Sequence, residues 1–292
     1  MKRVLCAVLT ALLWSQGMPA AHAAEPVKPA SSGVEVSAKS VILMERETGT
    51  VLYQQAEHEQ REPASVTKVM TMLLVVEAIE QGQLHLEDRV TCSAYAASMG
   101  GSQVFLAEGE QMSVHDLLKS VAVASGNDAA VALAEQIAGS ESAFVEKMNR
   151  RAQELGMKDT HFCNCNGLPA EGHVTSAYDI ALMSRELILN HPDIRRFTTL
   201  WMDSLRGGEF QLANTNKLIR YYDGATGLKT GSTGLAKFCV SATAKKNDIE
   251  LIAVILGADN SKTRFQDAVT LLNYGFASCQ IYKDYSPPKL GK

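Results

Sequence analysis

The sequence has no long block of lysine or arginine. Its 28 basic residues are outnumbered by 32 acidic ones, and the formal net charge is −4. Proteins that hold nucleic acid through phosphate contacts depend on basic patches. The charge balance therefore argues against a nucleic-acid partner. Wholesale disorder is also excluded, because 46% of the 292 residues are hydrophobic, which is enough to form a sizeable core.

Long hydrophobic runs are also lacking. An apolar stretch near the N-terminus, Val4–Leu13, is too short to cross a bilayer. Two basic residues precede it, and an A-x-A cleavage pattern ends at Ala23. This order predicts a secretory signal peptide over residues 1–23, followed by a flexible leader over residues 24–37. We therefore expect an exported protein that works outside the cytoplasm, in the periplasm or on the wall side of the membrane.

Cysteine is scarce and irregularly spaced. Removal of the signal peptide leaves five of the six cysteines, and an odd number does not form a disulfide framework. His161, Cys163 and Cys165, with His173 nearby, are potential metal ligands. Their spacing lacks the paired pattern of structural zinc sites, so we expect no metal and no organic cofactor. The cysteines are more simply explained as small buried hydrophobic residues.

Hydrophobic periodicity separates strand-rich chain ends from a helical middle. Strands are predicted at 40–44, 50–53, 209–212, 238–243 and 249–256. Helices are predicted at 65–81, 113–124, 128–138, 141–155 and 176–190, with an amphipathic helix after the last strand. We therefore predict an α/β (α+β) fold in which both chain ends complete one sheet region and a helical lobe is inserted at about 90–200. A cleft between the sheet region and the lobe is the expected substrate site.

Three short motifs contain residues with catalytic potential. Ser65-Val66-Thr67-Lys68 begins a predicted buried helix, and residues three apart lie on the same helix face. The Lys68 amine would therefore lie beside the Ser65 hydroxyl, where an unprotonated lysine can act as the base that activates the nucleophile. Ser125-Gly126-Asn127 lies between two predicted helices, and Lys229-Thr230-Gly231-Ser232 precedes a predicted strand. Each motif alone also has an ordinary explanation, as a helix cap, a turn or an edge strand.

Together, in this order and context, the motifs resemble the signature of the low-molecular-mass penicillin-binding proteins, the serine-type D-alanyl-D-alanine carboxypeptidases. The resemblance runs from about Val36 to Tyr282. It implies a serine β-lactamase/transpeptidase-like catalytic domain at 38–282, with an antiparallel sheet and flanking helices, and a C-terminal tail at 283–292. The implied reaction removes the terminal D-alanine from peptidoglycan pentapeptide stems through an acyl-enzyme on Ser65. The resemblance also implies that β-lactam antibiotics are covalent inhibitors.

The resemblance assigns roles to individual residues. The implied catalytic residues are Ser65, Lys68 and Ser125, and the implied substrate-binding residues are Asn127, Lys229, Thr230, Gly231, Ser232 and Arg264. Lys68 is the expected base, and we expect burial and the charge of Lys229 to lower its pKa. Lys229 is expected to stay charged and to bind the substrate carboxylate with Thr230 and Arg264. The backbone N–H groups of Ser65 and Ser232 are the expected oxyanion hole.

Two alternatives stay open on the sequence alone. A class A-like β-lactamase needs a deacylating glutamate, and Glu186–Asn190 matches the E-x-x-L-N spelling. The apolar periodicity around Glu186 instead favours a helix, and the loop at 161–175 contains only Glu171. A catalytically silent wall-associated protein of the same fold is the second alternative, because fold alone does not prove activity. Membrane association also stays open, since many family members continue into a β-rich domain and an amphipathic membrane helix.

Overall fold

The computed structural model describes residues 33–285. The predicted signal peptide, most of the predicted leader and residues 286–292 lie outside this part of the chain. The strands are β1 (Ser40–Glu45), β2 (Val51–Gln55), β3 (Arg89–Thr91), β4 (Gln111–Ser113), β5 (Met202–Leu205), β6 (Phe210–Ala213), β7 (Ala225–Thr233), β8 (Lys237–Lys246) and β9 (Ile249–Ala258). The helices are α1 (Lys68–Glu80), α2 (Ala94–Ala97), α3 (Val114–Val123), α4 (Asn127–Ala138), α5 (Glu141–Glu154), α6 (Ala177–Asn190), α7 (Arg195–Thr198), α8 (Leu218–Tyr221) and α9 (Ser261–Tyr285).

A five-stranded antiparallel sheet joins the two ends of the described chain. Its strand order is β2-β1-β9-β8-β7, so β1 lies beside β9, with Val41 opposite Ile255. The short strands β3 and β4 form a separate pair, as do β5 and β6. The expectation that both chain ends complete one sheet region is confirmed.

Both faces of the five-stranded sheet are buried, because successive side chains of its strands pack into two different cores. Ile42 and Met44 of β1 belong to the large core that includes α1 and α6. Val41 and Leu43, which point to the opposite face, pack in a second core with α9, which contributes Leu271. Successive side chains of a strand point to opposite faces, so a strand buried on both faces has a continuous run of hydrophobic residues. All ten residues of β9 are buried for this reason.

Most of the remaining helices follow β2 in a helical lobe. Serine side chains cap the first turns of α3, α5 and α6 by accepting backbone N–H bonds, as helix N-caps do. The helices predicted at 113–124, 128–138, 141–155 and 176–190 are confirmed to within a residue or two at each end. Within residues 33–285, no helix combines the length and the hydrophobicity that a membrane crossing requires.

Candidate active site

Ser65 and Lys68 lie side by side where α1 begins. A 3-10 turn at Ala64–Thr67 precedes the α-helix, and Lys68 is fully buried while Ser65 is partly exposed. The Lys68 Nζ atom lies 2.9 Å from the Ser65 Oγ atom, 2.6 Å from the Asn127 Oδ1 atom and 2.6 Å from the Asn166 carbonyl oxygen. The predicted proximity of the amine and the hydroxyl is therefore confirmed.

Burial changes the acidity of Lys68. Desolvation lowers the pKa of Lys68 from the ordinary 10.5 to about 7, although the negative charge of Asp128 acts in the opposite direction. A pKa near 7 leaves a substantial fraction of the amine unprotonated at neutral pH. The amine can therefore accept a proton from Ser65.

The loop between α3 and α4 brings the second motif to Lys68. Ser125 has a left-handed backbone, with φ of +66°, and its Oγ atom accepts a hydrogen bond from Lys229 at 2.9 Å. Asn127 begins α4 and is 97% buried. Its amide nitrogen donates to the Gly100 carbonyl at 2.7 Å, which turns its Oδ1 atom toward Lys68.

The third motif lies on β7, at an edge of the sheet. The Lys229 Nζ atom contacts Ser125, and the Thr230 hydroxyl donates to Thr215 at 2.7 Å. A Cβ atom on Gly231 would lie 2.8 Å from the Ser65 backbone nitrogen, so only glycine lets β7 pass this close to the nucleophile. Ser232, the next residue, is exposed.

The surroundings of Lys229 work against the expectation that it stays charged. Burial, together with the positive charges of Lys68 and Arg264, lowers the pKa of Lys229 well below its ordinary value. Two buried lysines beside a buried arginine therefore favour loss of a proton. A bound carboxylate would reverse this effect, because an opposite charge at close range stabilises the ammonium form.

Arg264 lies on α9 behind the end of β7. Its guanidinium donates to the carbonyl oxygens of Gly231 and Cys239, each at 3.1 Å, and to the Ser261 hydroxyl at 3.1 Å. It is 94% buried, and burial lowers the pKa of Arg264 to about 10. In this arrangement Arg264 holds the Gly231 backbone and adds positive charge near Lys229, whereas the sequence suggested direct contact with a carboxylate.

The loop at 161–175 forms a further side of the site, which the motifs did not indicate. Its Asn166 carbonyl accepts from Lys68, and its Gly167 packs so closely on Ala64 that a Cβ atom would overlap the Ala64 carbonyl oxygen. The Asn-Gly dipeptide is a turn signal that marks this bend, but nothing in it indicates contact with a lysine nearly 100 residues away.

A buried hydrogen-bond chain links this loop to the turn that carries Ser65. The Cys163 N–H donates to the His173 Nδ1 atom at 2.9 Å, so the ring proton is on Nε2, which donates to the Thr67 hydroxyl at 2.8 Å. Thr67 in turn donates to the Ala64 carbonyl at 2.8 Å. Ala64 has a left-handed backbone, with φ of +48°, and this chain holds it there.

The same contacts test two ideas from the sequence. His173 has both ring nitrogens hydrogen-bonded within the protein, and Cys165 is fully buried, so both residues contribute to the fold of the loop. Glu186 lies on α6, as its periodicity predicted, and its carboxylate pairs with Arg151 at 2.6 Å. This ion pair joins α6 to α5. Glu186 therefore has a structural role, and the E-x-x-L-N match does not mark a lactamase deacylating residue.

A serine beside a buried lysine, a second serine–lysine pair and an edge strand with glycine at the nucleophile define an active-serine enzyme of the penicillin-binding type. The structure superposes on penicillin binding protein 6B from Escherichia coli with a TM-score of 0.78 and 41% identity, covering 82% of this chain and 78% of that one. Penicillin-binding protein D2 from Listeria monocytogenes, in its ampicillin-bound form, gives a TM-score of 0.73 and 30% identity, with coverage of 83% and 98%.

Sequence comparison gives the family. The profile of the D-alanyl-D-alanine carboxypeptidase family matches residues 23–260. The D-alanyl-D-alanine carboxypeptidase DacF of Bacillus subtilis is 46% identical over 288 residues, which cover 98% of this chain and 74% of the relative. DacD of Escherichia coli is 40% identical, with coverage of 96% and 74%. The chain therefore belongs to the D-alanyl-D-alanine carboxypeptidase family and is a serine-type enzyme of that class.

Proposed function

We propose that this enzyme works outside the cytoplasm, where it removes the terminal D-alanine from peptidoglycan pentapeptide stems through an acyl-enzyme on Ser65. The observation that carries the proposal is the set of three partners around the Lys68 amine. The carbonyl oxygens of Asn127 and Asn166 can only accept hydrogen bonds, and the Ser65 hydroxyl can also donate. A neutral amine therefore directs its two N–H groups to the carbonyls and its lone pair to Ser65.

Acylation follows from this geometry. Lys68 takes the Ser65 proton as Oγ forms a bond to the carbonyl carbon of the penultimate D-alanine. The backbone N–H groups of Ser65 and Ser232 stabilise the negative charge that develops on the carbonyl oxygen. Ser125 gives its hydroxyl proton to the nitrogen of the leaving D-alanine as the peptide bond breaks. Ser125 then takes a proton from the Lys68 ammonium, which leaves Lys68 neutral again.

Deacylation reuses the same base. Lys68 accepts a proton from the incoming water, whose oxygen forms a bond to the acyl carbon as the Ser65 Oγ bond breaks. The proton returns to Ser65, and the shortened stem leaves. Asn127 holds an amide of the acyl part throughout, and its own contact with Gly100 keeps it oriented.

The site recognises the C-terminal end of the peptide by its carboxylate. Lys229 and Thr230 bind it directly, and Arg264 supports them with charge and by fixing the Gly231 carbonyl. A carboxylate in this position raises the pKa of Lys229, so substrate binding and protonation of Lys229 are coupled. This requirement for a terminal carboxylate makes the enzyme a carboxypeptidase.

β-Lactams are expected to acylate the same serine, as covalent inhibitors. Incubation with benzylpenicillin should add the mass of one penicillin molecule, and digestion should place the adduct on the peptide that contains Ser65. Ser65→Ala should abolish both the adduct and the release of D-alanine from a pentapeptide. An adduct on another peptide, or D-alanine release by the alanine variant, would overturn the assignment.

A further inference from the structure

Phe105 combines two unfavourable features. Its side chain is 68% exposed, and its backbone has a φ of +57°, in the left-handed region that aromatic residues rarely occupy. An exposed apolar ring on a strained backbone persists only where its surroundings impose it, and such positions concentrate at functional sites.

The surroundings of Phe105 hold it from both sides. The Asp128 carboxylate, 99% buried, accepts the backbone N–H groups of Val104 and Leu106 at 3.1 and 3.0 Å. On the carbonyl side, Arg206 donates to Val104 at 3.0 Å and to Phe105 at 3.2 Å. These contacts fix the backbone on either side of Phe105, so its ring is presented outward.

The loop that carries Phe105 contacts the motif at Ser125–Asn127. The Asn127 N–H donates to the Ser102 carbonyl at 2.7 Å, and Phe105 follows Ser102 by three residues, within about 11 Å along the chain. A Cβ atom on Gly126 would lie 3.6 Å from the Val104 side chain. The residue that fixes the loop, Asp128, directly follows the proposed substrate-binding Asn127.

A second ring completes the surface. Phe210 of β6 meets Phe105 edge to face, with centroids 6.1 Å apart, and Arg206 lies over Phe210 at 5.5 Å. We call Phe105 and Phe210 the aromatic wall. Arg206 is paired with Glu110 at 2.8 Å and with two carbonyl oxygens, so the wall offers ring surface rather than an available charge.

We propose that the aromatic wall binds the side chain of the stem-peptide residue that precedes D-alanyl-D-alanine, and that it prefers a long aliphatic side chain. This inference rests on the proposed function, in which Asn127 holds an amide of the acyl part. The acyl part must then run from Ser65 past Asn127 and alongside the loop that presents Phe105. Methylene groups gain from contact with aromatic rings, whereas a glycine at the same position has nothing to bury.

The test compares two substrates, N-acetyl-glycyl-D-alanyl-D-alanine and its analogue with Nε-acetyl-lysine in place of glycine. The quantity measured is the ratio of kcat/KM for the lysyl substrate to that for the glycyl substrate. Phe105→Gly removes the ring and relieves the left-handed strain, so the variant should fold. It should lower the ratio about tenfold, the size typical of a lost apolar contact in a binding pocket.

Two further variants keep the test decisive. Tyr221→Ala removes an aromatic residue of similar exposure, 71%, on α8 and should leave the ratio unchanged. Phe210→Ala removes the other ring without altering the Phe105 backbone and should also lower the ratio. An unchanged ratio in both phenylalanine variants, or an equal loss for both substrates, would overturn the inference. Failure of the unmodified enzyme to cleave either substrate would instead contradict the proposed function.

Discussion

At the scale of single residues, the protonation state of Lys68 sets the rate of acylation. Its pKa of about 7 means that the amine is protonated and inactive as a base at pH 5, and largely unprotonated at pH 9. We therefore expect the second-order rate constant for acylation by benzylpenicillin to rise with pH through about 7 and then level off. Stopped-flow measurement across this range tests the expectation, and a rate independent of pH would contradict it.

The two buried lysines provide a matched pair for substitution. Lys68→Arg keeps the charge but cannot accept a proton, so acylation should slow by at least about 10³-fold, toward the upper end of what a general base contributes. Lys229→Arg also keeps the charge, and because the proposed role of Lys229 is to bind an anion, it should mainly raise KM. Steady-state kinetics with a pentapeptide separates these outcomes. Near-normal acylation by the first variant would show that the base lies elsewhere.

The motifs predicted some residue contacts and not others. The Ser65–Lys68 contact follows from helix geometry, because residues three apart share a face. The contact between Lys68 and the Asn166 carbonyl could not be predicted, since a backbone oxygen has no residue-type signature and its position depends on distant packing. The lowered pKa of Lys229 could not be predicted for a related reason: burial depends on the whole surroundings, which a motif does not describe.

At the scale of elements, the His173 chain connects the loop at 161–175 to the turn before α1. Burial lowers the pKa of His173 to about 4, whereas an unfolded histidine titrates near 6.5. Its contribution to stability is therefore complete above pH 6.5 and is lost as the pH falls toward 4, because only the unfolded state binds the proton in this range.

A glutamine at this position tests that contribution. His173→Gln can both accept from Cys163 and donate to Thr67 but does not titrate. Between pH 7 and pH 4.5, the free energy of unfolding should fall by about 2–3 kcal/mol more in the unmodified enzyme than in the variant. Urea denaturation at the two pH values measures the difference. Parallel losses in both proteins would show that His173 titrates normally.

The packing of the same loop on Ser65 gives another matched pair. Gly167 and Gly156 both have left-handed backbones, with φ of +85° and +74°. A Cβ atom on Gly167 would overlap the Ala64 carbonyl, whereas one on Gly156 meets nothing within 4 Å. Gly156→Ala should therefore cost only about 1 kcal/mol of backbone strain. Gly167→Ala should cost several kcal/mol and also slow acylation by penicillin. Equal costs, measured by denaturation, would show that the loop moves away from Ser65 freely.

Elements differed in how well the sequence predicted them. Helices α3, α5 and α6 could be predicted because each combines a helical pattern of apolar residues with a capping serine, and both signals are local. Strand β5 was not predicted, because its four residues are too few to show a period and they gain stability from pairing with β6. Strand β7 extends further toward the N-terminus than the motif suggested, since its glycines interrupt the hydrophobic pattern.

At the scale of the whole molecule, sequence periodicity predicted the layers but not their order. Alternating apolar residues indicated strands at both chain ends, and the sheet confirms that they meet. The placement of β1 between β2 and β9 is a long-range pairing that no local pattern specifies. Both cores depend on this placement, since β1 supplies Ile42 to one and Val41 to the other.

The position of β1 has a consequence for how the chain is made. Ribosomes release residues in order, so β1 and β2 emerge early, while β9, which lies between β1 and β8, emerges only after residue 249. Until then β9 cannot connect β1 to β8, and the sheet that separates the two cores is incomplete. The loop at 161–175 and strand β7 then lack the packing that holds them beside Ser65. The growing chain therefore cannot complete its fold until most of it has been synthesised. For a protein proposed to leave the cytoplasm, this delay keeps the chain incompletely folded, and so able to be exported, until export is under way.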